Sequence, residues 1–135
     1  MANEYSKENV WKIMEDTKTV NFIRAIGLPD RKNIRIDIET YTAIDGEVSQ
    51  ELVDELHILR QDMTRRTAKT LKKLDVTAQE LKNGLSDETA VRQVSEYLHK
   101  HDGVIVSYGT CAVISDINKI AMEFQVPLVE NTSLI

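Results

Sequence analysis

From residue 49 to residue 74 the apolar residues Leu52, Val53, Leu56, Leu59, Met63, Leu71 and Leu74 recur at helical intervals, with Thr67 and Thr70 on the same face. Neither Gly nor Pro interrupts the run, and Ser49 stands where an N-cap is needed. The spacing predicts an amphipathic helix of roughly 25 residues, ~37 Å at the standard rise. Such a helix is long for a chain of 135 residues. It is expected to protrude or to find a partner, and it constrains the fold more than any other feature.

The segment before it divides by period. Ser6 can cap a helix carrying Val10, Ile13, Met14 and Thr17, and the pattern continues through Phe22, Ile23 and Ile26 to a stop at Gly27 and Pro29. From Asn33 the period changes, because Ile34, Ile36 and Ile38 alternate with Arg35, Asp37 and Glu39. That is a strand with one wet face, at a sheet edge, extended by Tyr41 and ended by Asp45-Gly46.

Beyond the long pattern, Thr77-Ala78-Gln79-Glu80 has the form of a capping box and Gly84 closes its short helix. Ser86 caps a further helix with Val91, Val94 and Leu98 inward. Val104-Ile105-Val106 reads as a buried strand, Val113, Ile117, Ile120, Ala121 and Phe124 as a helix face, and Val126-Pro127-Leu128-Val129 as a second buried strand. Strand, helix, strand is a minimal parallel βαβ unit. The expected fold is therefore α/β in a single domain over 1–135. A helix-rich N-terminal arm occupies 1–75, with one strand at about 33–41, and a small Rossmann-like βαβ unit lies within 76–135.

Composition excludes the unusual classes. Apolar residues make up 41% and charged residues 29%, with 5 Gly and 2 Pro, which leaves neither a collagen-like nor a disordered chain. The one cysteine, Cys111, has no internal disulfide partner, and the opening residues lack a signal peptide's apolar stretch. No run approaches a membrane span. These features are those of a cytoplasmic chain.

Four places could carry chemistry. Ser107-Tyr108-Gly109-Thr110-Cys111 joins a strand to a helix N-terminus, where free N–H groups and the helix dipole suit a nucleotide or other anion. Ser107, Gly109, Thr110 and Cys111 are the expected ligand-binding residues, although one Gly makes neither G-x-G-x-x-G nor a P-loop. Cys111 would gain thiolate character there, yet His57, His99 and His101 all lie elsewhere in sequence, so no nucleophile and base pair up. His99, His101 and Asp102 have ligand chemistry but sit in a polar link without further ligand spacing, and no metal or other cofactor is expected. Asp37 and Glu39 are competent as nuclease-type carboxylates, but without a following Lys they read as solubilising charges.

Charge is the sharper signal. Between residues 60 and 73, Arg60, Arg65, Arg66, Lys69, Lys72 and Lys73 stand against Asp62, six cations to one anion, so this stretch carries +5 of the net −5 and the remainder −10. Arg65, Lys69 and Lys72 fall at helical spacing, a basic stripe on the long helix. Without a basic domain or interleaved aromatic residues, the stripe reads as a solvated face that pairs with the protein's own acidic groups or with an acidic partner, ahead of nucleic acid.

The C-terminal string Val104-Ile105-Val106, Gly109, Ile117, Ile120-Ala121, Val126-Pro127-Leu128-Val129-Glu130-Asn131 and Leu134 resembles the cytoplasmic C-terminal domain of flagellar and type III secretion export-switch proteins. Residues 60–66 are similar to the charged linker helix preceding that domain. The resemblance covers about 31 residues closely. It implies an export-apparatus relative, but the family's self-cleaving Asn-Pro-Thr-His segment has no counterpart, since Pro29 and Pro127 are the only prolines. No catalytic residue carries over.

Together these features lead to an expected non-enzymatic interaction module. It would self-associate or dock through Leu52, Leu56, Leu59 and Met63, with Arg65, Arg66, Lys69 and Lys73 beside them. The alternatives are a nucleotide- or anion-binding protein using the 107–111 turn, and a nucleic-acid-binding accessory protein.

Overall fold

The computed structural model describes residues 19–27, 33–45, 47–107 and 112–129. The alternating segment does form a strand, β2 (Asn33–Ile44), but it is internal rather than at an edge. β1 (Thr19–Gly27) and β3 (Glu47–Leu59) flank it, both antiparallel to it. β4 (Val104–Ser107) adds in parallel to β1, giving the order β3-β2-β1-β4 in a mixed sheet.

Two segments expected to be helical are strands instead. Phe22, Ile23 and Ile26 belong to β1, while Val10, Ile13, Met14 and Thr17 lie outside the described residues. The long helix over 49–74 is absent: β3 runs to Leu59, residues 61–67 are irregular, and only α1 (Ala68–Leu74) is helical. The physical reason lies at Asp45-Gly46. Ile44 pairs with Glu47, so β2 and β3 form a hairpin, and Asp45 takes the left-handed conformation favoured in tight hairpin turns (φ 53°). Register shifts near Leu52 leave Val53 as an extra residue on β3, which breaks strict alternation and lets the apolar positions mimic a helical period.

Three further helices follow: α2 (Ala78–Lys82), α3 (Asp87–Lys100) and α4 (Ala112–Glu123). The Thr77–Glu80 capping box is complete in both directions, and Ser86 caps α3 through the Thr89 amide. α3 and α4 cover one face of the sheet. Val91, Val94, Ile114 and Ile117 pack there against Ile23, Ile36, Ile38 and Ile58, all essentially buried. A smaller cluster of Ile34, Leu74 and Leu81 seats α1 and α2 at one end of the sheet.

Val126–Val129 is not a strand. Asn118 on α4 satisfies Val129 instead, accepting from its amide and donating to its carbonyl, both at 2.8 Å. β4 finds its parallel neighbour in β1, so the fold is mixed α/β, and among the described residues the second strand of the expected Rossmann-like unit is not formed.

A buried cation ties the periphery together. Arg60, 3% exposed, donates to Asp116 at 2.8 Å, to Asp87 at 3.0 Å and to the Asn33 carbonyl at 2.9 Å. The end of β3, the start of α3, and α4 are thereby fixed to β2. No helix among the described residues is long and apolar enough to cross a membrane.

Candidate functional site

With helices on one side, the other face of the sheet presents the polar positions of the alternation. Antiparallel register puts Arg24 beside Asp37 and Phe22 beside Glu39 across β1 and β2. It also puts His57 beside Asp37 and Glu55 beside Glu39 across β2 and β3. A concavity of about 770 Å³ opens here, with Phe22, Tyr41 and Val48 at one end and Arg35 at the other. A second, of about 300 Å³, shares Arg35, Asp37 and His57 and ends at Asp75, Val76 and Glu80, beyond the last turn of α1.

Most polar groups of this face are already engaged. His57 Nδ1 meets Asp37 Oδ1 at 2.6 Å and its Nε2 lies 3.3 Å from Glu55, while Arg35 Nε stands 3.5 Å from Asp37. Arg35 also donates to the Leu74 carbonyl at 3.2 Å, which anchors α1 to the sheet. The Tyr41 hydroxyl donates to Glu39 at 2.7 Å, and the Tyr41 ring meets Phe22 edge to face, centroids 5.7 Å apart at 78°. Arg24 is different. It is exposed on the concavity, and no hydrogen bond or ion pair engages it among the described residues. Hydrogen bonds to Asp37 first, and then to Glu55, raise the His57 pKa above its ordinary value.

Among the described residues, those expected to bind lie in separate places. Ser107 closes β4 half-buried, and Gly109, Thr110 and Cys111 lie outside the described residues. Leu52 and Met63 are exposed, at 45% and 66%. Leu56 packs against the main core and Leu59 against the smaller cluster. A single apolar docking face made of those four is therefore ruled out, because the strand sends them to different places.

The basic residues divide likewise. Arg66 is half-buried and pairs with Asp62 at 2.7 Å. Burial alone would raise the Asp62 pKa, but the Arg66 and Thr64 donors outweigh it and hold the carboxyl low. Arg65, Lys69, Lys72 and Lys73 remain exposed on and just before α1.

The histidines also separate. His99 Nδ1 lies 2.7 Å from the Ser95 carbonyl, whereas His101 Nε2 meets Asp54 at 2.8 Å. His101 belongs to an inner polar network in which its carbonyl accepts from Asn21, Asn21 accepts from Thr40, and Thr40 meets the Tyr97 hydroxyl. Among the described residues no group of three His, Cys, Asp or Glu is placed to hold a metal.

Sequence reasoning missed Phe22, Arg24 and His57 as site residues, since all three fell in segments read as helix. The signal that could have found His57 is the Asp-Gly turn, which makes residues 33–59 a hairpin and brings His57 over Asp37, whereas Phe22 and Arg24 join only through the pairing of β1 with β2. Comparison with known proteins assigns no kinship, since neither a protein-family model nor a curated protein matches the chain.

Proposed function

We propose that the open sheet face binds a ligand combining a flat ring with an anionic group, the chemistry of a nucleotide. The observation that carries this is Arg24, an exposed guanidinium with no ion-pair partner among the described residues, in the same concavity as the Phe22–Tyr41 ring pair. Guanidinium forks match phosphate and carboxylate oxygens, and aromatic faces on an open sheet stack bases. This reading moves nucleotide binding from the 107–111 turn to the sheet.

Thermal shift against a nucleotide panel tests it, with Arg24→Glu and Tyr41→Ala as controls. At 100 times the dissociation constant a ligand should add about 2.7 kcal/mol. Both substitutions should abolish the shift. A flat response at millimolar nucleotide overturns the reading.

A protein partner is the second reading, favoured by exposed Ile44 (67%), Leu52 (45%) and Val53 (55%), all on the far half of the β2–β3 hairpin. Light scattering of the wild type and of Leu52→Asp/Val53→Asp tests self-association there. A monomer unchanged by the substitutions leaves no support for it.

A further inference from the structure

We infer that the ligand of the open face is a single-stranded oligonucleotide whose backbone runs from the Phe22–Tyr41 rings toward α1. The inference rests on the nucleotide reading and extends it.

Three observations carry it. The two concavities adjoin, because Arg35, Asp37 and His57 line both, and end to end they form a groove reaching from Tyr41 to Val76. The six steps from Tyr41 to Arg35 alone span ~20 Å at the strand rise, longer than a single nucleotide needs. The groove ends at Asp75 and Val76, which directly follow α1, and Arg35 bonds the Leu74 carbonyl of that helix.

α1 supplies the charge complement. Lys69, Lys72 and Lys73, with Arg65 just before the helix, are exposed, and no ion pair among the described residues engages them. Within the groove three of the four acids are engaged: Asp37 faces His57 and Arg35, Glu39 accepts from Tyr41 and Glu80 accepts from the Thr77 amide, while Asp75 stands exposed where the groove meets the lysines of α1. Arg24 beside the rings is unmatched, and so is the cluster on α1, the helix at which the groove ends. Rings that accept bases at one end and cations that follow phosphates at the other form a platform for an unpaired strand. A duplex keeps its bases stacked inside and cannot use Phe22 and Tyr41.

The test measures binding of fluorescein-labelled dT10 by anisotropy, with dTMP as competitor, for the wild type, Lys69→Gln/Lys72→Gln/Lys73→Gln and Arg24→Glu. Circular dichroism confirms that each variant is folded. The wild type should bind dT10 at least about tenfold more tightly than dTMP. Affinity for dT10 should fall with salt, and the triple variant should lower the log–log slope by about 2, at roughly 0.7 per phosphate contact. It should lose the excess affinity for dT10 while keeping that for dTMP, whereas Arg24→Glu should lose both.

Equal affinity for dT10 and dTMP, or a triple variant that binds dT10 like the wild type, overturns the oligonucleotide inference and leaves the nucleotide reading standing. Absence of binding to either probe overturns both. Equal binding of a duplex, or of a polyglutamate peptide, shows that α1 attracts any polyanion and also overturns the inference.

Discussion

Asp37 and His57 face one another across β2 and β3 at 2.6 Å, Oδ1 to Nδ1, and this contact stands on the shared wall of the two open-face concavities. It gives the site a pH dependence of definite sign. The folded His57 pKa lies above its ordinary value of 6.5. Its contribution to stability is therefore fully present below about pH 6.5 and is lost as pH rises through the raised folded value. His57→Gln should flatten the stability profile on the alkaline side of 6.5. Urea midpoints taken from roughly pH 5 to 9 check this, and identical profiles for the two proteins would count against the contact.

Asp54 predicts the opposite sign at the opposite end of the scale. The hydrogen bond from His101, then that from the Glu55 amide, lowers its pKa below the ordinary 3.8. Stability from this group is present above that value and is lost as pH falls through the lower folded one. Asp54→Asn should therefore remove part of the acid arm of the unfolding curve and leave the alkaline arm alone. A matching acid midpoint in both proteins would contradict the His101–Asp54 pairing.

Arg60 is the residue whose loss should be felt most widely. Truncation to Ala would remove the cation shared by Asp87 and Asp116 and the guanidinium donor to the Asn33 carbonyl. Breaking a buried pair costs about 3–5 kcal/mol, and the lower end applies because Asp87 keeps contact with water. Arg60→Lys should recover only part of this, since one ammonium cannot hold two carboxylates and a carbonyl in the geometry of a fork. Equilibrium denaturation of both variants measures the difference.

What the sequence reveals depends on whether a signal is local. The Thr77–Glu80 capping box, the Ser86 cap and the strict alternation of Ile34, Ile36 and Ile38 are local, and each produces the element it implies. β3 is different because its identity depends on a partner. Val48, Leu52, Leu56 and Leu59 lie three or four residues apart and imitate a helix face, while the inserted Val53 hides the period of two. Pairing with β2 overrides that local pattern. The candidate site was illegible for the same reason: Asp37 and Glu39 were visible, but Phe22 and Arg24 reach them only once residues 19–27 pair with β2.

Gly103 sets how closely β4 can approach β1. A Cβ added there would lie 2.2 Å from the Thr19 carbonyl oxygen and 2.8 Å from the Thr19 Cβ, one step before the Val20–Val104 pairing. Backbone cannot swing aside as a flexible side chain can, so Gly103→Ala must push the start of β4 away from β1. Overpacking of this kind typically costs about 1–3 kcal/mol, and the rigid neighbour places this case toward the upper end. The loss should also be local in origin. Hydrogen exchange should show β4 amides losing protection at free energies where β2 and β3 amides, held by their own antiparallel pairing, stay protected. Gly84→Ala is the matched comparison, since its added Cβ would lie 2.7 Å from the Arg60 carbonyl carbon and from the Gln61 amide nitrogen, away from β4. That variant should lose stability and leave the β4 amides no less protected than their neighbours. A Gly103→Ala protein within about 0.5 kcal/mol of the wild type, the range of ordinary surface substitutions, would mean that β1 and β4 do not approach as closely as described.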